Sequence, residues 1–261
     1  MNNIYVSNLP FQGLACGSMK YLPEDLGIEI FCETGNDYYW NHLLPVLLEN
    51  HRLPLSLHGP FQRLDLSDPN ADFSVQRDAY IWAFELGKKF GAKDCVCHPY
   101  AGHRPENDTE ADREKARRTA LGRILELNSI SAEYGITLLV ENMPEPDGLL
   151  DEKSFIDLFE PHKELSFLID TGHAHLQKWD WEYAWERLGD RIKAYHINDN
   201  LGDFDSHLKA DEGSIDWTAF FKGYNKYTPN ANLVLEYNFG PLDSVVESAG
   251  LVRKYICAQA K

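Results

Sequence analysis

The chain is poor in the residues that build sulfur-based sites. Its five cysteines, Cys16, Cys32, Cys95, Cys97 and Cys257, are scattered, odd in number and form no C-x-x-C pair. Neither a disulfide framework nor a thiolate zinc site fits them, and Cys95 and Cys97, alternating with His98, read as structural thiols of a reducing compartment. Positive charge is scarce as well: 25 Lys and Arg face 41 Asp and Glu, a formal net charge of −16. A field of that sign repels phosphate backbones and disfavours broad electrostatic binding to nucleic acid. The start, MNNIYVSNLPFQG, lacks the basic patch and long apolar core of a signal peptide, and no apolar run is long enough to span a bilayer. The expectation is a cytoplasmic protein with no membrane partner, for which a homo-oligomer remains open. Also missing are a Pro/Ser-rich linker, a strong internal repeat and a Gly-rich turn after Val6, so nothing divides the chain or suggests a nucleotide cofactor.

What the chain does have is apolar residues, 43% of 261, enough for one substantial core. They fall into a repeated order of short apolar run, polar loop and helical stripe. Apolar runs end near Val6, Phe31, Leu57, Cys97, Val140, Ile169, Tyr195 and Leu235. Between them, helical spacing predicts helices over about residues 39–51, 73–90, 111–134, 154–159, 181–188 and 242–256, with another beginning at Trp217. Gly91 and Gly135 stand where two of these should stop, and Asp216 where one should be capped. Strand, loop and helix repeated about eight times predict a single (β/α)8 TIM barrel over residues 1–261. A doubly wound open sheet is the runner-up.

Six consecutive predicted strands finish in a potential ligand: His58, His98, Glu141, Asp170, His196 and Glu236. In a barrel these ends converge at one mouth. If the ligands point inward, so do Ser56, Val96, Leu139, Leu168, Ala194 and Val234, while Leu57, Cys97, Val140, Ile169, Tyr195 and Leu235 face the helices. The stretch over residues 194–217 adds Asp205-x-His207 to the strand-terminal His196. Imidazoles and carboxylates at such density repel and desolvate one another unless a cation sits among them, and these are the donors that divalent metals use. The remaining histidines, His42, His51, His103 and His162, show no partner pattern and read as surface residues; a helix-start role is expected for His175. The basic run from Arg113 to Arg123 reads as the solvated face of a helix.

In order, HGPF, HPY, VENMPEP, LIDTGH, HINDN, D-S-H followed by E-G-x-I-D-W, and LEYN span most of the chain from Leu55 to Asn238. Their sequence and spacing resemble the xylose isomerase-like TIM barrel superfamily, which includes sugar phosphate isomerases and epimerases, inosose dehydratase-like enzymes and endonuclease IV. The resemblance to the epimerases implies one divalent ion on Glu141, Asp170, His196 and Glu236, with the two glutamates doubling as the acid/base pair. The resemblance to endonuclease IV implies three zinc ions, with His58, His98, His173, Asp205 and His207 as further ligands. Against the nuclease, Asp211-Glu212-Gly213 replaces its usual Gly-Glu-Gly, and the basic surface of a DNA groove is missing.

These observations support a metal-dependent sugar or sugar phosphate isomerase or epimerase, using Mn2+, Mg2+, Co2+ or Zn2+ on a small carbohydrate substrate. The expected chemistry is proton transfer next to a carbonyl through an enediolate, with Glu141 and Glu236 as the catalytic residues. Phe61, Asn142, His173, Glu212 and Trp179 are the candidate substrate contacts. The alternatives are a zinc phosphodiesterase or AP-endonuclease-like hydrolase with a trinuclear site, and a metal-dependent sugar or polyol dehydratase.

Overall fold

A computed structural model describes residues 3–101, 107–144 and 148–259 of the chain; His103 and part of the VENMPEP motif lie outside the described residues. Eight strands close into a barrel in sequence order: β1 (Ile4–Ser7), β2 (Leu26–Phe31), β3 (Ser56–His58), β4 (Asp94–Cys97), β5 (Thr137–Glu141), β6 (Ser166–Asp170), β7 (Ile192–Ile197) and β8 (Asn232–Leu235). Every neighbouring pair is parallel, and β8 returns to pair with β1. The fold is therefore a (β/α)8 TIM barrel, the architecture expected from the repeated strand–helix pattern.

Helices α1 (Asp37–Leu48), α2 (Phe73–Phe90), α3 (Glu110–Glu133), α4 (Glu152–Phe159), α5 (Thr171–Leu176), α6 (Trp181–Leu188), α7 (Trp217–Tyr227) and α8 (Leu242–Ala258) surround the strands. Their ends have local causes. The Thr109 hydroxyl and the Asp112 carboxylate cap each other's backbone at the start of α3, and Gly91 and Gly135 end α2 and α3 in left-handed conformations. The Asp216 carboxylate accepts from the Ala219 amide and starts α7, which buries Trp217, Phe220 and Phe221. Each such side chain contributes roughly 1.5–3 kcal/mol by leaving water. The β1–β2 connection departs from the regular pattern: it is built of 3-10 turns at Leu9–Phe11 and Gly13–Tyr21 rather than an α-helix. Pro10, Gly13 and Gly17 deny that segment a continuous helical backbone. The β6–β7 connection instead carries two helices, α5 and α6.

Strand parity sorts the core as the alternation predicts. Leu57, Cys97, Val140, Ile169, Tyr195 and Leu235 join the large apolar layer between barrel and helices. Val96, Leu139, Leu168 and Ala194 form a separate apolar cluster inside the barrel. None of the described helices is long and apolar enough to cross a membrane.

Candidate metal centre

The carboxyl ends of β3 to β8 bring nine potential donors together in three groups: Glu141, Asp170, His196 and Glu236; His58, His98 and Glu141; and His173, Asp205 and His207. Within each group one donor atom per residue lies within 4.8 Å of the others. The first group is entirely buried. His196 Nδ1 stands at its centre, 3.0 Å from Glu141 Oε1, 3.3 Å from Glu236 Oε2 and 3.8 Å from Asp170 Oδ2.

The backbone and its neighbours hold these side chains in place. Asp170 ends β6 and caps α5, its Oδ1 accepting from the His173 amide at 2.8 Å while its Oδ2 accepts from Asn198 Nδ2 at 2.6 Å. Gly172 permits that clamp, since a Cβ there would meet Asn198 Oδ1 at 2.0 Å. Three imidazoles have Nδ1 against a backbone carbonyl: His58 on Gly59, His173 on Asn142 and His207 on Glu236, at 3.0, 2.7 and 3.1 Å. A carbonyl only accepts, so Nδ1 donates its proton there and Nε2 is the nitrogen left facing the cavity. His207 holds this position at a left-handed φ of 45°, a conformation that costs a residue with a Cβ about 1–2 kcal/mol.

The electrostatics follow from the crowding. Burial opposes charge on Glu141, yet the facing imidazoles of His196 and His98 hold its carboxyl well below the usual range. Burial opposes charge on His196 and His173 too, but the surrounding carboxylates lift both well above an ordinary histidine. His207 is pushed up to about 9 against its burial by Asp205 and Glu236, and His98, buried with weaker support, is lowered. Burial raises Glu236 to about 7, which the opposing Glu141 charge reinforces and His196 and His207 only partly offset. Glu236 Oε1 and Asp205 Oδ1 are buried with no hydrogen-bond partner among the described residues. Orphaned carboxylate oxygens beside cavity-facing imidazole nitrogens are the donor set that a divalent cation satisfies. The site is thus a buried His/Glu/Asp cluster capable of chelating a divalent metal.

Of the other expected contacts, some reach the mouth and some do not. Phe61 lines a cavity of about 490 Å3 above the donors, its ring 5.2 Å from His58 and 4.8 Å from His98. His173 lines the same cavity. Asn142 is instead spent on the backbone of Asp170, donating to its carbonyl and accepting from its amide. Trp179 packs on Phe155 and donates to Gln177, and Glu212 is an exposed partner of Lys209; neither lines the cavity. The basic run on α3 is not simply solvated: Arg113, Arg117 and Arg123 donate to carbonyls of Gly148, Leu149 and the loop before α2, while Arg118 pairs with Glu114. Alternation passed over two buried carboxylates. Glu29 of β2 shares the inward parity of Gly27 and Phe31 in an otherwise apolar strand, and Asp94 opens β4 with the inward parity of Val96.

The sequence profile of the Xylose isomerase-like TIM barrel family matches residues 43–255. The uncharacterized protein MJ1614 of Methanocaldococcus jannaschii is 30% identical over 201 residues, covering 76% of each chain. In three dimensions the fold is similar to a D-tagatose 3-epimerase-like protein, with a TM-score of 0.82 at 22% identity over 99% of this chain and 98% of that one. It is also similar to the IOLI protein with a bound zinc atom, with a TM-score of 0.75 at 15% identity over 100% and 98%.

Proposed function

We propose that this chain, which belongs to the Xylose isomerase-like TIM barrel family, is a divalent-metal-dependent isomerase or epimerase of a small sugar or sugar phosphate. The observation that carries the reading is the pair of buried glutamates flanking one imidazole nitrogen, Glu141 at 3.0 Å and Glu236 at 3.3 Å from His196 Nδ1. Burial and the facing Glu141 charge raise Glu236, while the imidazoles of His196 and His98 hold Glu141 low. Glu141, Asp170, His196 and Glu236 would hold the cation. When bound, a divalent cation supplies Lewis-acid polarisation of a substrate oxygen. Glu236, with its unpartnered Oε1 and near-neutral proton affinity, exchanges a proton with a substrate carbon, and Glu141 serves the opposite direction. Phe31, Phe61 and Met143 give the mouth apolar walls for the face of a sugar ring, and about 490 Å3 suits a small molecule.

A second reading, a zinc phosphodiesterase-type hydrolase, is favoured by the two additional donor groups around His58 and His98 and around His173, Asp205 and His207. Charge opposes it: Arg63 is the one Lys or Arg among the described residues lining the cavity. The test is exchange of carbon-bound hydrogen with deuterated water across a panel of ketoses and ketose phosphates, using wild type and Glu236→Gln. Wild type should exchange at least one sugar, and the variant should lose about two to four orders of magnitude in rate while keeping its fold. No exchange with any sugar, alongside hydrolysis of an abasic-site or phosphodiester substrate, overturns the isomerase reading in favour of the hydrolase. Exchange that survives unchanged in Glu236→Gln removes that residue from the acid/base pair.

A further inference from the structure

His196 differs from His58, His173 and His207 in what holds its second nitrogen. Where His58, His173 and His207 lean on backbone carbonyls, His196 Nε2 lies 3.0 Å from Glu29 Oε1, both residues fully buried. Glu29 is itself held from below. Ser56 Oγ lies 2.7 Å from Glu29 Oε2 and 2.6 Å from Asp94 Oδ1. A serine hydroxyl owns a single proton, so it donates to one of these carboxyls and accepts from the other. One of the two is therefore a carboxylic acid. The proton is assigned to Asp94: burial, with the negative charge of Glu29 adding, raises its carboxyl to about 7, even though Ser56 partly offsets this. With the proton on Asp94, the Ser56 hydroxyl donates to Glu29 Oε2, and Glu29 Oε1 remains free to accept from His196 Nε2–H. The lone pair of His196 then sits on Nδ1, the nitrogen that faces Glu141, Glu236 and Asp170.

We propose that Glu29, ordered by Ser56 and Asp94, is a positioning residue that fixes His196 in the tautomer presenting Nδ1 to a divalent cation. Carboxylates behind metal-binding imidazoles do this elsewhere, orienting the ring and raising its basicity. The proposal rests on reading Glu141, Asp170, His196 and Glu236 as a metal site. It makes Glu29 a determinant of metal affinity although it lies outside the donor groups.

The experiment measures Zn2+ affinity by competition with a chromophoric chelator for wild type, Asp170→Ala, Glu29→Ala and Glu29→Gln. Each full-length variant is checked by circular dichroism. Glu29→Ala should lose about 10- to 100-fold in affinity. Glu29→Gln should recover most of it, because its amide oxygen accepts from Nε2–H while its amide nitrogen donates to Ser56. Unchanged affinity in Glu29→Ala, with Asp170→Ala impaired, overturns the proposal and leaves the metal reading intact. Failure of wild type to bind zinc overturns both. Should the alanine variant not fold, long-range 1H–15N spectra of zinc-loaded wild type still test the claim. A proton on Nε2 and a ligated Nδ1 at His196 support it, and the reverse pattern refutes it.

Discussion

The two sides of the barrel interior are filled with opposite chemistry. Towards β4 to β7, Val96, Leu139, Leu168 and Ala194 pack as an apolar layer with no hydrogen bonds to satisfy. Towards β2 to β4, the interior holds Glu29, Ser56 and Asp94, linked to one another and to His196. The apolar side stabilises by dispersion and exclusion of water, and tolerates any well-fitting side chain. The polar side gains little net stability, because each hydrogen bond replaces one with water while each lost partner strands a buried group. Its hydrogen bond to His196 through Glu29 fits a role in the site rather than in the fold.

Substitutions can separate the two sides. Leu168→Ala should have the larger effect on stability, roughly 2–5 kcal/mol from lost burial and a residual cavity, yet leave Zn2+ affinity unchanged. Denaturant unfolding together with the chelator competition checks both halves; a matching loss of affinity would mean that the apolar layer also tunes the site. Asp94→Asn should instead have a pH-dependent effect of opposite sign. The folded carboxyl is raised to about 7, so its contribution to stability is complete below the unfolded value near 3.9 and is lost as pH rises through 7. The asparagine lacks that loss. It should match wild type near pH 4 and exceed it near pH 8 by an amount on the order of a few kcal/mol. Parallel stability curves for the two proteins across that window would show that Asp94 is ionised throughout.

Much of this arrangement was legible before any coordinates. Apolar runs of strand length, each ending in His, Asp or Glu, specify both the barrel and the convergence of His58, Glu141, Asp170 and Glu236, because strand direction and parity are local properties of the chain. Local pattern loses force where side-chain direction depends on tertiary packing. Trp179 follows a ligand motif in sequence but turns towards Phe155, and Glu212 stays in solvent with Lys209 although it belongs to a shared motif. Asn142, adjacent to Glu141, alternates away from the mouth and reaches the backbone of Asp170 instead. The 3-10 connection after β1 shows no helical stripe, and Glu29 was hidden because one carboxylate in an apolar strand signals nothing until its partners on β3 and β7 are known.

The claim on which the rest depends is that Glu141, Asp170, His196 and Glu236 share one divalent cation. Elemental analysis of purified wild type and Asp170→Ala, after equilibration with a mixture of Mn2+, Mg2+, Co2+ and Zn2+ and removal of loosely bound ions, tests it most directly. Wild type should retain at least one divalent ion per chain, and Asp170→Ala should lose that ion while circular dichroism shows an intact fold. Metal content undiminished in Asp170→Ala, or wild type retaining none, would contradict the assignment.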